Sequence, residues 1–365
     1  MKEYTTEFIR NIALASHSSS GKTMLAEAFL HFTGATTRLG KIEDSTTVSD
    51  FEEEEQRRKL SLSTAIIPVE YKDYKINFLD TPGYTDFMGE VISALRVCDG
   101  ALILIDSVAG AEVGTEIAWH YCDVFNLPRF LVINKMNRDN ANFRKALESV
   151  QNISNTRLIP VQLPWGEKQD FKGVLDLLTM KAYSGDGKTS QAIPGEFADE
   201  VESARMELIE AAAEGEDELL EKYLEGTELT AEEIQRGLRK VVRSGNYVPV
   251  FAAAGTAEIG LATLLEAVIT LLPSPKDTPT VTAKGKAGEE EITPRDNGPL
   301  AAYVWKTTAD PFVGKITYFR IYSGMMTSDS RVWNEIKGAE ERLGTLHLLR
   351  GKEQIAVKVV HVRVT

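Results

Sequence analysis

The segment Ser16-His17-Ser18-Ser19-Ser20-Gly21-Lys22-Thr23 follows an apolar run, RNIALA, and opens a helical pattern, KTMLAEAFLHF. In that context backbone N–H groups from Ser18 to Thr23 converge on phosphate oxygens, with the positive end of a helix behind them. Lys22 would reach the β- and γ-phosphates of a nucleotide, and the Thr23 hydroxyl would ligate Mg²⁺. The first glycine of G-x-x-x-x-G-K-[ST] is Ser16 here, so a serine-rich loop that only caps a helix is the alternative. A second cluster, Asp80-Thr81-Pro82-Gly83-Tyr84, ends the run KINFLD. Asp80 can hold Mg²⁺ through a water, and the Gly83 N–H can contact a γ-phosphate. The bland reading is a Pro-Gly turn. A phosphate loop upstream and a strand ending on the aspartate favour the nucleotide reading of both clusters.

The third cluster is Asn134-Lys135-Met136-Asn137, after the run RFLVIN. N-K-x-D is a guanine-reading pattern: the carboxylate accepts from the ring N1–H and the exocyclic amine, and the lysine stem lies over the base. Asparagine occupies the aspartate position here. Asp139 stands two residues too far along to substitute without moving the loop. A capped helix start at NRDNANF is the alternative use of these residues.

These clusters need strands and helices to hold them. RNIALAS, KINFLD, ALILID, RFLVIN and VPVFAA are short apolar, β-branched runs flanked by turn residues, and they read as buried parallel strands. Helical patterns alternate with them, which predicts a doubly wound α/β domain with ligands at the carboxyl ends of the strands. The first domain is expected over residues 1–154 and 246–275. Residues 155–245 break the rhythm with short strand-like runs, the turn SGDGK and acidic helices, and read as an inserted α+β subdomain. LPSPKDTP is a Pro-rich exit linker. LAAYVWKTT, GKITYFRIYSG and DSRVWNEIK alternate like strands, so residues 276–365 are expected to form an incomplete β-barrel. The chain stops at VVHVRVT in mid-pattern, which reads as a truncated product.

The 365 residues carry a net charge of −13 and 43% apolar residues, ordinary for a globular chain and unlike a free-standing nucleic-acid binder. Between Glu196 and Gln235 stand fifteen acidic residues and two basic ones, Arg205 and Lys222, so this segment alone carries 15 − 2 = 13 negative charges. No apolar run approaches the ~20 residues of a membrane helix. MKEYTTEFIRN lacks the apolar core of a signal peptide. The two cysteines, Cys98 and Cys122, read as reduced core thiols. Together these features point to a cytoplasmic chain without membrane or free DNA binding, taken as a monomer.

The three clusters in this order resemble those of the translational GTPases. NIALASHSSSGKTMLAEAFL, INFLDTPGYTDFMGEV, LVINKMNRDNANF, LLEAVITLLPSP and DPFVGKITYFRIYSGMM are similar to elongation factor G lines, and the resemblance covers nearly the whole chain. It implies GTP or GDP and Mg²⁺ as ligands and the ribosome as partner. It also implies that the insertion is the family's G′ subdomain, which meets the ribosomal stalk protein, and that the tail starts the second-domain barrel. The family's third, fourth and fifth domains are absent from this sequence. RRKLSLST corresponds to the first switch, which orders on the γ-phosphate; the hydroxyl that ligates Mg²⁺ falls on Ser61, where threonine is usual. EEEEQRR before it is otherwise a solvated loop. The last base-contacting loop, usually Ser-Ala, falls on Ala254-Gly255 and acts through a backbone N–H. Tyr84 stands where elongation factor G has a histidine that positions the attacking water. With Ser61, it resembles the divergent elongation factor G-like branch.

The leading expectation is therefore a Mg²⁺-dependent GTPase coupled to the ribosome. A nucleotide-gated binding module with negligible hydrolysis competes, because Tyr84 hydrogen-bonds a water but supplies no imidazolium. A small-molecule kinase would have neither the base-reading cluster nor the barrel. Within the family, a ribosome protection protein or a peptide-chain release factor shares the same motifs.

Overall fold

The computed structural model describes residues 4–277, 280–285, 288–310 and 314–362. The end of the linker (278–279), part of DPFVG (311–313) and the last residues of VVHVRVT (363–365) lie outside them, as do residues 1–3.

All five expected strands form: β1 (Ile9–Ala15), β3 (Tyr74–Asp80), β4 (Gly100–Asp106), β5 (Arg129–Asn134) and β11 (Tyr247–Ala252). They pair in parallel, and almost every residue in them is buried, as a sheet covered on both faces requires. The sheet has seven strands in the order β2-β3-β1-β4-β5-β11-β6. The edge strand β2 (Ala65–Tyr71) runs antiparallel to β3. It contains Pro68, which an edge strand tolerates because one row of its N–H groups pairs with nothing. The other edge, β6 (Arg157–Pro160), pairs in parallel with β11, so the sheet extends into the region expected for the insertion. Helices α1 (Lys22–Phe32), α2 (Glu53–Arg58), α3 (Met88–Val97), α4 (Val113–Val124), α5 (Phe143–Gln151) and α9 (Leu261–Leu271) belong to this part.

The insertion adds a four-stranded antiparallel sheet, β7 (Gln162–Trp165), β8 (Gly173–Asp176), β9 (Lys181–Ser184) and β10 (Thr189–Ala192). The helices α6 (Ala198–Ala213), α7 (Asp217–Leu224) and α8 (Ala231–Arg243) follow it. A capping box at Thr230 and Glu233 starts α8. The acidic stretch is answered in part by α8. Glu216, only 14% exposed, pairs with Arg236 and Lys240 at 2.9 Å each, and Lys222 pairs with Glu233.

The tail is β-rich. Among the described residues it forms two-stranded antiparallel ladders: β12 (Val281–Gly285) with β13 (Gly288–Ile292), and β14 (Ala301–Asp310) with β15 (Gly314–Ser323). Then β16 (Met326–Thr327) pairs with β21 (Val359–Val360), β17 (Arg331–Asn334) with β18 (Ala339–Arg342), and β19 (Leu346–Arg350) with β20 (Glu353–Val357). A small core of Ile321, Met326, Leu346, Val360 and Val362 fills it. Trp305, Tyr318 and Leu349 join the main core instead, so the tail is packed onto the α/β domain. Cys98 and Cys122 are both free and buried, and burial pushes both thiols up.

Candidate nucleotide site

Three loops at the carboxyl ends of β1, β3 and β5 come together, as the strand order demands. The loop after β1 turns through Ser19 (φ 63°) and Gly21 (φ 96°) into α1. A Cβ on Gly21 would stand 2.5 Å from Asn134 Nδ2, so glycine is required there by both conformation and space. Ser16 needs no such freedom. Its hydroxyl lies 3.2 Å from that of Thr115 on α4, which explains why a serine replaces the expected glycine. His17 accepts from the Gly114 N–H, and Lys22 Nζ donates to the carbonyls of His17 (2.8 Å) and Ser16 (3.3 Å). Gly83 abuts this loop: a Cβ there would lie 2.6 Å from both Lys22 Nζ and Ser18 N. Thr81 is used internally, its N–H and hydroxyl both donating to the Leu14 carbonyl, and Pro82 is buried beside it. Tyr84 is 45% exposed at the mouth of the site.

The expected metal ligands converge. Thr23 Oγ1 and Ser61 Oγ stand 3.2 Å apart although 38 residues separate them. Asp80 is buried, and neither of its carboxylate oxygens meets hydrogen-bond geometry, although the Thr23 and Ser49 hydroxyls stand close to them. Burial and the neighbouring Asp50 push its carboxyl up to about 7, against the pull of the Thr23 and Ser49 hydroxyls and Lys22. Burial likewise brings Lys22 down to about 8, against the attraction of Asp80 and Asp50. Two buried carboxylates are costly unless something cationic joins them. The donors present are hydroxyl and carboxylate oxygens, which suit Mg²⁺. Among the described residues no group of three His, Cys, Asp or Glu could hold a metal.

Asp50 is the residue that sequence reading missed. It stands in the unremarkable run TTVSDFE, and its two oxygens are also buried and outside hydrogen-bond geometry. Two further glutamates, also missed, hold the surrounding loop. Glu27 on α1 accepts the Val48 N–H at 2.6 Å. Glu55 accepts the N–H groups of Leu62 (2.9 Å) and Ser63 (3.2 Å), the two residues that follow Ser61. Glu55 belongs to EEEEQRR, so one residue of a run readable as solvated is in fact buried. Lys59 ends α2 at φ 56°.

At the base end, Asn134 ties two loops: its Nδ2 donates to the Ser20 carbonyl (3.0 Å), and its Oδ1 accepts the Gly255 N–H (3.1 Å). The Gly255 N–H, expected to face guanine, is engaged by Asn134 here. Ala254 is buried beneath it. Lys135 donates to the Ser19 carbonyl and to Asp106, which also receives Arg138. Burial of Asp106 is outweighed by the Val108 N–H, Lys135 and Arg138, which hold its carboxyl below the usual range. Asn137 is exposed, and the following helix is capped by Asn142 rather than by Asn137.

A family model, the elongation factor Tu GTP binding domain, matches residues 7–274. Elongation factor G of Fervidobacterium nodosum is 38% identical over 358 residues, and that of Thermotoga petrophila 40% over 361. Each match takes in 96% of this chain and 52% of the relative, so the chain spans about half the length of the curated relatives it matches. A crystal structure of a Thermus thermophilus protein superposes with a TM-score of 0.86 at 33% identity, covering 98% of this chain and 52% of that one. The chain belongs to the translational GTPase family that carries the elongation factor Tu GTP-binding domain, and its fold is elongation factor G-like.

Proposed function

We propose that the chain binds GTP and GDP with Mg²⁺ and hydrolyses GTP in a cycle coupled to the ribosome, in the cytoplasm. The observation that carries this reading is the pair of hydroxyls, Thr23 and Ser61, 3.2 Å apart beside the buried carboxylates of Asp80 and Asp50. Two distant loops bring together these hydroxyl and carboxylate oxygens, a donor set that would hold Mg²⁺. Mg²⁺ bound there would offset phosphate charge as the terminal phosphate leaves. Thr23 and Ser61 would hold it directly, and Asp80 and Asp50 through waters. Lys22 would bind the β- and γ-phosphates, and the Gly83 N–H the γ-phosphate. Tyr84 would hydrogen-bond the attacking water.

Tyr84 favours slow intrinsic chemistry. A phenol is a poor general base near neutral pH, and the Tyr84 side chain is 45% exposed. Single-turnover hydrolysis by the isolated chain is expected well below about one per second, in the lower range of enzyme rates. Ribosomes should raise it by supplying position and charge. With ribosomes, Tyr84→Phe should be slower than wild type and Tyr84→His equal or faster. A fast isolated chain would sink this account, and no ribosome stimulation would favour the nucleotide-gated binding module.

The acidic face of α6 and α7 is proposed as the surface for the ribosomal stalk protein. Glu216 is unsuited to test it, because its pairs with Arg236 and Lys240 hold α7 to α8. Glu218 also reaches Arg236, at 3.8 Å, but Asp217, Glu221 and Glu225 are exposed around Leu220 and Leu224. Reversing these three to lysine should lower ribosome-stimulated turnover and leave GDP affinity unchanged. Equal stimulation in the triple variant would reject the surface.

A further inference from the structure

We infer that Lys306, on β14 of the tail, is a positioning residue that holds the Ser61 loop and the segment after Tyr84 together in the triphosphate-bound state. The inference rests on the GTP-binding reading above.

Lys306 is buried, and its ammonium donates to three acceptors: the Ser63 hydroxyl, the Thr64 carbonyl (2.9 Å) and Glu90 Oε2 (2.9 Å). An ammonium has three donors, so its capacity is filled. Glu90 Oε2 also accepts the Thr64 N–H at 2.7 Å, and the Thr64 hydroxyl donates back to the Glu90 carbonyl at 3.3 Å. Ser63 and Thr64 stand two and three residues after Ser61, and Glu90 lies in the first turn of α3, six residues after Tyr84. One side chain from a separate part of the chain therefore fastens together the two segments that would contact the metal and the γ-phosphate.

The tail meets the same loop a second time. At the β19–β20 turn, the Gly351 N–H donates to the Ile66 carbonyl at 3.0 Å. A Cβ on Gly351 would lie 2.2 Å from the Val48 carbonyl. Val48 is the residue that Glu27 fixes, so the tail also packs closely against the segment just before Asp50. A third contact shows adhesion away from the loops: Arg320 on β15 pairs with buried Asp99 and donates to the Val97 carbonyl. Asp99 also accepts from Asn11 on β1. In the arrangement where the loop is bonded to Lys306, Ser61 also lies against Thr23, so Lys306 would favour the state in which the metal site is assembled.

The test compares affinities for GDP and for a non-hydrolysable GTP analogue, both with Mg²⁺, on the whole chain. Three proteins are measured: wild type, Lys306→Met, and the paired variant Asp99→Asn with Arg320→Met. Lys306→Met should keep GDP affinity within about twofold and lose about tenfold for the analogue, a coupling of ordinary size. Retained GDP binding shows that the phosphate loop is folded. The paired variant should leave the ratio of the two affinities at its wild-type value. An unchanged ratio in Lys306→Met overturns the inference, as does equal loss of both ligands or the same selective loss in the paired variant. If wild type binds neither guanine nucleotide, the GTP-binding reading itself fails, and the inference with it.

Discussion

Lys22→Ala should weaken both GDP and GTP by roughly ten- to a hundred-fold. The loss is that of a charge-assisted contact, ~1.5–3 kcal/mol. The geometry prepares Lys22 for this role at some cost to the empty site. Its ammonium is buried against the carbonyls of His17 and Ser16, and burial lowers it to about 8, with Asp80 and Asp50 resisting. A triphosphate would replace two neutral acceptors with charged ones, which favours the protonated amine. The variant takes away this gain and leaves the loop backbone in place, because the turn is set by Ser19, Gly21 and the Ser16–Thr115 contact. Calorimetric titration with each nucleotide checks it. Wild-type affinity in the variant would mean that the loop binds something other than a nucleotide phosphate.

What could be read from the sequence was whatever is local. The five parallel strands were legible because each is a continuous apolar run ended by a turn, and the phosphate loop because its letters sit between a strand and a helix. Asp80, Gly83 and Asn134 were legible for the same reason, each lying at a strand end. The residues outside the motifs that support the candidate site were not. Asp50, Glu27 and Glu90 are single acidic letters among many. Glu27 and Glu90 are defined by the Val48 N–H, the Thr64 N–H and Lys306, between 21 and 216 residues away. Glu55 was hidden differently: α2 is six residues long, too short for helical periodicity to reveal which of four consecutive glutamates turns inward. Ser16 is the converse case. It departs from the motif by one letter, and the fold tolerates the departure because φ there is not left-handed and the two hydroxyls of Ser16 and Thr115 share a hydrogen bond. The strand β2 escaped because Pro68 interrupts the pattern of a buried strand, a cost that vanishes at a sheet edge.

Base selectivity should be looser than in a GTPase with aspartate at position 137, and Asn137→Asp should tighten GDP by roughly thirty- to a thousand-fold. The frame around the base is intact. Asn134 holds the loops of Ser20 and Gly255, and Lys135 is fixed by Asp106 and the Ser19 carbonyl. The change is therefore confined to one exposed side chain. A carboxylate would accept both the N1–H and the exocyclic amine of guanine. The Asn137 carbonyl oxygen can accept the N1–H, but its NH₂ then faces the exocyclic NH₂, donor against donor. Losing one charge-assisted bond and weakening the other costs ~2–4 kcal/mol, which is the affinity range given. No nearby carboxylate replaces the missing one. Asp106 is already engaged by Lys135 and Arg138, and the Asp139 side chain accepts from Gln169. Xanthine carries a carbonyl where guanine has its amine, so the Asn137 amide would donate to it, and xanthosine diphosphate should bind wild type better than it binds the aspartate variant. The phosphate and metal contacts are untouched by the change, so GTP stays a ligand at cellular concentrations. Titrating both diphosphates into both proteins decides the matter. If Asn137→Asp gains nothing for GDP while wild type still rejects xanthosine diphosphate, then a water or a shifted main chain has relieved the mismatch, and Asn137 does not set the choice of base.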